Sequence, residues 1–283
     1  MNAIEIKNVS KSFGDFAIQN LNFELPKGSI CGLVGENGAG KSTTIRLIMH
    51  ALRPDSGEIS VLGVDNRSPE FQQVKEDVGI VLDEAYFPET LNANQVGLVM
   101  ADTYARWDAA VYDGFLKRFD LPPKKVFKDY SRGMTMKLAI AVALSHSPRL
   151  LILDEATSGL DPIVRDEILE LFSEFTRDAE HSILISSHIV SDLEKLCDYI
   201  AFLHNGRLRF CMEKDALRDE YGIISCTKAQ LAELPDEAVC GVEKSPYGAR
   251  VLVKRKLVSA AFQMDRPNIE DVILFLVKGE KQA

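Results

Sequence analysis

No stretch of this chain is long and apolar enough to cross a bilayer. Its longest purely apolar runs are short, LAIAVAL at Leu138–Leu144 among them, against the roughly 20 residues a spanning helix needs. The first residues, MNAIEIKNVS, lack the basic start and apolar core of a signal peptide. A cytoplasmic protein is therefore expected. Cysteine is sparse: Cys31, Cys197, Cys211, Cys226 and Cys240 include no C-x-x-C pair. That argues against a zinc ribbon or a disulfide scaffold and for free thiols in a reducing compartment. Basic charge is in deficit, with 33 Lys and Arg against 42 Asp and Glu and a net charge of −9. Such a chain has no general attraction to nucleic acid or anionic lipid, so any phosphate it binds needs a local site. Tryptophan occurs once, at Trp107. There is no internal repeat, low-complexity segment or coiled-coil run.

What is present fits one large domain, or one of about 200 residues with a smaller companion. AIEIKNVSKSF and AIQNLNFEL read as strands, followed by the turn PKGS. ICGLV is a short apolar strand that runs into a Gly-rich loop and then a helix, which RPDSG stops because Pro and Gly both end helices. EISVLGVD is another strand. Residues 92–130 read as helical. SRGMTMKLAIAVALSHSP reads as a helix capped by Ser131. After Asp161-Pro162 a helix runs to about Arg177, with Val164, Ile168, Leu171, Phe172 and Phe175 on one face. RLLILDEA and SILISSHI are buried strands. YIAFLHNGRLRF is a hairpin, because Asn205-Gly206 favours a type I′ turn. From about Met212 the pattern changes to a helix, hairpin-like strands around KSPYGARV and a final helix, IEDVILFLV.

The segment GENGAGKS, Gly35 to Ser42, matches G-x-x-x-x-G-K-[ST]. Successive backbone N–H groups, with the helix N-terminus behind them, make an anion cradle. Glycines let the backbone approach phosphate, Lys41 reaches the terminal phosphates, and Ser42 offers its hydroxyl to Mg²⁺. By residue frequencies the bare pattern arises by chance in about one chain in a hundred of this length. Its place between an apolar strand and a helix makes it a nucleotide site.

Such an enzyme needs a second, acidic strand end. The tetrapeptide LDEA occurs twice, at Leu82–Ala85 and at Leu153–Ala156. In the later copy four apolar residues, Leu150 to Leu153, precede Asp154, as in a strand buried on both faces. Asp154 is then the metal-side carboxylate and Glu155 the general base. Alone, these would be two solvated acids at a strand end. The earlier copy, in VGIVLDEAYF, reads the same way in isolation.

At this point the sequence resembles the ATP-binding subunits of ABC transporters, closest to bacterial exporter-type systems with a separate membrane chain. The resemblance covers residues 3–210. VSKSFGDFAIQNLNF is similar to the family's opening, which makes Phe13 the aromatic that stacks on adenine. GENGAGKSTT resembles its phosphate loop, so Gly35, Glu36, Asn37, Gly38, Ala39, Gly40, Lys41, Ser42 and Thr43 would bind ATP. YSRGM stands at the signature, SGLD at Ser158–Asp161 at the D-loop, and His188 in ISSHI at the switch histidine. The implied fold is α/β: a P-loop NTPase core of ABC ATPase type with an N-terminal antiparallel β subdomain and a helical signature subdomain. It spans residues 1–211, and residues 212–283 form a small α+β extension.

The resemblance assigns the duplicate. Asp154-Glu155 is the acidic strand, while Asp83 falls in the Q-loop, where the family usually has Gln. Asp83 is expected to join Ser42 and Asp154 around Mg²⁺. The signature also departs, because Arg132 stands where the family has glycine; Arg132 is expected to be exposed or paired with an acid. Ala156 replaces the usual Pro. In the family two chains sandwich ATP head to tail, so Ser131 and Gly133 would serve the opposite chain's site and Asp161 would link the two sites. Glu155 would polarise water, with His188 and Lys41 as its catalytic companions. The implied partners are a second ATP-binding subunit and a transmembrane permease at the inner face of the membrane, with no nucleic acid. The alternative is a soluble ABC-type ATPase with a regulatory or ribosome-associated role. A ribosome-associated factor would usually carry two cassettes and basic arms. A DNA-repair ATPase would separate Lys41 from Ser131 by long coiled coils.

Overall fold

The computed structural model describes residues 1–83, 87–246, 248–259 and 262–280. The chain forms two compact units, Met1–Cys211 and Met212–Ala283.

In the first unit, β1 (Asn2–Phe13) and β2 (Phe16–Pro26) pair antiparallel, with Phe13 opposite Phe16 across a two-residue turn. Ile4, Ile6 and Val9 are all buried. Strict alternation would turn Val9 outward, but a register shift between Ile6 and Val9, with Asn8 at φ 50°, returns it to the core. The chain continues through β3 (Ile30–Val34) and α1 (Lys41–Ile48) to β4 (Ser56–Val61) and β5 (Val64–Asp65). Strands β2-β1-β4-β5 form one antiparallel sheet.

After the short α2 (Phe71–Val74) comes β6 (Val78–Val81). The helical segment is α3 (Ala93–Thr103), α4 (Ala109–Arg118) and α5 (Arg132–Leu144). Here the structure differs from the sequence expectation of helix throughout 92–130. Residues 119–130 hold only a single short 3₁₀ turn, because Pro122-Pro123 removes two backbone donors. Asn92 and Gln95 form a reciprocal capping box on α3, and Asp108 caps α4.

Next come β7 (Leu150–Asp154), α6 (Pro162–Phe175), β8 (Ser182–Ser187), α7 (Val190–Leu196), β9 (Tyr199–His204) and β10 (Arg207–Glu213). Asn205 and Gly206 between the last two strands have φ of 48° and 71°, the positive pair that a type I′ turn requires. The second sheet runs β10-β9-β3-β8-β7-β6, with β9, β3, β8, β7 and β6 parallel. Every residue of β3, β7 and β8 is buried, which is why their sequences show no polar–apolar alternation. Each fully buried Leu or Ile here contributes about 1.5–3 kcal/mol over exposure.

Parallel pairing sets the site. Val34 lies opposite Ser187, and Asp154 lies opposite Ser186. The ends of β3, β7 and β8 therefore stop at one level, and the residues just beyond them meet at the carboxyl edge of the sheet, where α/β proteins bind ligands.

The second unit contains α8 (Lys214–Glu220), β11 (Tyr221–Cys226), α9 (Lys228–Leu231), β12 (Val239–Ser245), β13 (Gly248–Lys254) and α10 (Ile269–Glu280). Its sheet is antiparallel in the order β11-β13-β12, over a core of Ile224, Leu234, Val251 and Val253. Gly241 on β12 lets α10 approach; a Cβ there would stand 2.3 Å from the Phe275 carbonyl oxygen.

Candidate active site

The loop from Gly35 to Gly40 is shaped by contacts that exclude side chains. A Cβ on Gly35 would stand 2.3 Å from the Leu203 carbonyl oxygen, and Gly40 sits at φ 112° with its Cβ position 2.5 Å from Ile18 Cδ1. The Gly206 N–H donates to the Ala39 carbonyl at 3.0 Å, so the β9–β10 turn pins the loop from behind. Lys41 begins α1 and is only 6 % exposed. Its Nζ donates to the Gly35 carbonyl at 2.9 Å and stands 3.2 Å from Glu155 Oε1.

Glu155 follows β7 at φ 52°, a left-handed conformation in a non-glycine residue. Such strain persists only where neighbours hold it. Three contacts do so here. The Glu155 N–H donates to the Ser186 carbonyl and hydroxyl, each at 3.1 Å, and Oε2 lies 2.7 Å from His188 Nδ1. Buried Ser186 also donates its hydroxyl to Asp154 Oδ1 at 2.5 Å. One serine thus binds the Asp154 carboxylate and the backbone of Glu155. Sequence reading missed it; its signal was a hydroxyl pair, Ser186-Ser187, closing a buried strand that opens on the apolar run Ile183 to Ile185.

These groups border a cleft of about 660 Å³ lined by Phe16, Glu36, Asn37, Gly38, Gly40, Lys41, Ser42, Thr43, Asp83, Arg132, Glu155, Ser158 and His188. Most of the residues singled out from sequence therefore meet. Gly35 and Ala39 shape the loop without lining the cleft, and Asp154 lies behind Glu155, 5 % exposed. Phe13 does not line the cleft; its ring is 39 % exposed beneath Lys11 Nζ, and its cross-strand neighbour Phe16 is the lining aromatic. Ser131, Gly133 and Asp161 also lie outside it. Ser131 caps α5 through the Met134 N–H, and Asp161 caps α6 through the N–H groups of Ile163 and Val164. Asp83 stands with Arg132: Nη2 donates to Oδ1 at 3.0 Å. Glu84 and Ala85, the last two residues of the earlier LDEA, lie outside the described residues.

Buried acid, lysine and loop amides at one helix N-terminus are the apparatus of phosphate-ester hydrolysis. The family model for ABC transporters matches residues 18–158. The bacitracin transport ATP-binding protein BcrA of Enterococcus faecalis is 34% identical over 208 residues, 72% of this chain and 67% of that protein. The chain belongs to the ABC transporter family. Another member, the lantibiotic transport ATP-binding protein SrtF of Streptococcus pyogenes, is 34% identical over 75% of this chain and 91% of its own length. A solved ATP-binding subunit of an ABC transporter superposes with a TM-score of 0.69 at 29% identity, over 76% of this chain and 92% of that one. A dimeric ATP-binding cassette bound to ADP and Pi superposes with a TM-score of 0.67 at 22% identity, which speaks to the fold. The chain is thus an ABC ATPase with the family's α/β core.

Among the described residues of this ABC ATPase, no helix is long and apolar enough to cross a membrane. Among them, too, no cluster of three or more His, Cys, Asp or Glu could hold a metal by itself. The oxygen donors of Ser42 and Asp154 fit Mg²⁺, which takes one or two protein ligands and completes its shell with phosphate and water.

Proposed function

We propose that this chain is the ATP-hydrolysing subunit of an exporter-type transporter, working as one of two such subunits on a separate membrane-spanning partner. The observation that carries the hydrolytic reading is Glu155, held at φ 52° between Lys41 and His188 in the phosphate cleft. Loop amides and Lys41 stabilise the terminal phosphate charge. Glu155 accepts the proton of the attacking water, and His188, hydrogen-bonded to it, aligns that water. Ser42 and Asp154 would hold Mg²⁺, which would neutralise phosphate charge when bound. Phe16 lines the cleft and Phe13 stands opposite it across their hairpin, so this hairpin is where aromatic surface is offered to the adenine.

Ser131 and Gly133 stand outside their own chain's cleft, which supports their serving an opposite subunit in a head-to-tail pair, with Asp161 between the two sites. The export direction rests on relatives named for bacitracin and lantibiotic transport and on Nod factor export ATP-binding protein I of Rhizobium etli, 31% identical across the whole chain. Residues 212–283 act as a separate accessory domain that assists pairing.

Glu155→Gln tests the chemistry. It is expected to bind ATP and form a stable dimer without turnover; hydrolysis at the wild-type rate overturns the general-base assignment. Purification from native membranes tests the assembly, with a multi-span membrane protein expected to accompany the wild-type chain.

A further inference from the structure

The cleft carries charges of both signs. Among the lining residues, Glu36, Asp83 and Glu155 are acidic and Lys41 and Arg132 are basic. Glu155 is countered by Lys41. Asp83, 52 % exposed, is countered by Arg132, 53 % exposed, at 3.0 Å. The guanidinium has a second neighbour: Gly159, at φ 67°, where a Cβ would stand 2.8 Å from Arg132 Nη1. Arg132 therefore occupies a slot between the segment after β6 and the turn before α6, open because position 159 has no side chain.

A carboxylate beside a polyphosphate site costs binding free energy unless a cation lies next to it. Resting on the nucleotide reading above, we propose that Arg132 is the counter-charge that lets Asp83 stand in a phosphate cleft. The pair sets how strongly nucleotide binding depends on its metal. Metal-free ATP is more negative than its Mg²⁺ complex, so an unneutralised Asp83 penalises the metal-free form more. Asp83 in this account is the partner of Arg132 rather than a ligand of Mg²⁺. Arg132 is a positioning residue that acts through Asp83.

The test is calorimetric binding of a non-hydrolysable ATP analogue to the full chain, with Mg²⁺ and again in EDTA. Arg132→Gln is expected to weaken binding about three- to five-fold in EDTA, the scale of an exposed ion pair, and less with Mg²⁺. Adding Asp83→Asn is expected to restore both affinities to within about two-fold of wild type, and Arg132→Lys, which keeps the charge, to retain most of the binding. Unchanged binding by Arg132→Gln overturns the proposal, as does a defect that persists in the double variant. A Mg²⁺-specific loss in Asp83→Asn alone also overturns it, because that assigns Asp83 to the metal. Lys41→Ala is run alongside. If it binds the analogue like wild type, the nucleotide reading itself falls and the pair's role with it; if it binds poorly, a failed Arg132 series refutes the pair alone.

Discussion

Replacing Ser186 by alanine is the sharpest test of how the site is built. Ser186 is fully buried, donates to Asp154 Oδ1 at 2.5 Å and accepts from the Glu155 N–H at 3.1 Å. Alanine removes a hydrogen bond to a charged group that is itself 5 % exposed. The expected cost is about 1.5–3 kcal/mol. The Glu155 N–H keeps the Ser186 carbonyl at 3.1 Å, so its share of the loss is small. For a unit of this size that corresponds to a melting shift of about 3–10 °C. The catalytic effect should be larger in proportion. Glu155 is strained at φ 52°, and losing one of its restraints lets the carboxylate drift. A misplacement near 1 Å costs on the order of a hundred-fold in rate. The assays are thermal unfolding without nucleotide and steady-state phosphate release. Ser187→Ala is the control: Ser187 is equally buried, but its hydroxyl accepts from the Ile189 N–H, a neutral backbone donor, so about 1 kcal/mol is expected. In an Asp154→Asn background, Ser186→Ala should cost less, because the acceptor is no longer charged. A melting point within about 1 °C of wild type, with unchanged turnover, refutes the idea that Ser186 braces both acids.

Lys41→Ala should weaken ATP binding by about ten- to a hundred-fold, the scale of hydrogen bonds to charged groups, in the same calorimetric titration. Gly35→Ala should lower the melting point by displacing Leu203, whose carbonyl oxygen lies 2.3 Å from the added Cβ, at about 1–3 kcal/mol. His146 is fully buried, stacked on Tyr104 at 4.0 Å between the carbonyls of Val142 and Val78. Burial pushes its pKa down, so the native state resists protonation while the unfolded chain takes a proton near pH 6.5. Its stability contribution is complete above about pH 6.5 and is lost as pH falls through the lowered native value. Chemical denaturation between pH 7 and 5 should show a decline that His146→Gln reduces; an identical slope in both proteins contradicts this.

Local pattern carried much of this protein. The phosphate loop needed only its spacing and its flanking apolar strand, because each glycine answers a steric demand of the backbone itself. The buried strands β3, β7 and β8 were legible because burial on both faces favours short runs rich in Ile, Leu and Val, such as Leu150 to Leu153. The helix expected across residues 119–130 failed where two prolines outweighed the surrounding apolar spacing. Phe13 was chosen by register with the family, and its neighbour across the hairpin, Phe16, lines the cleft; a linear pattern does not tell which member of a cross-strand pair borders a cavity.

The two copies of LDEA show the same division. Sequence alone determined that Asp154-Glu155 ends a buried strand and that Asp83 ends another, because strand composition and its acidic stop are written in neighbouring residues. Only tertiary structure decided what each acid meets. Parallel register brings Ser186 beside Asp154, chain reversal brings Lys41 and His188 to Glu155, and the N-terminus of α5 brings Arg132 to Asp83. Those partners lie between 32 and 114 positions away along the chain. Their meeting depends on how strands pair and helices pack, which no local pattern encodes.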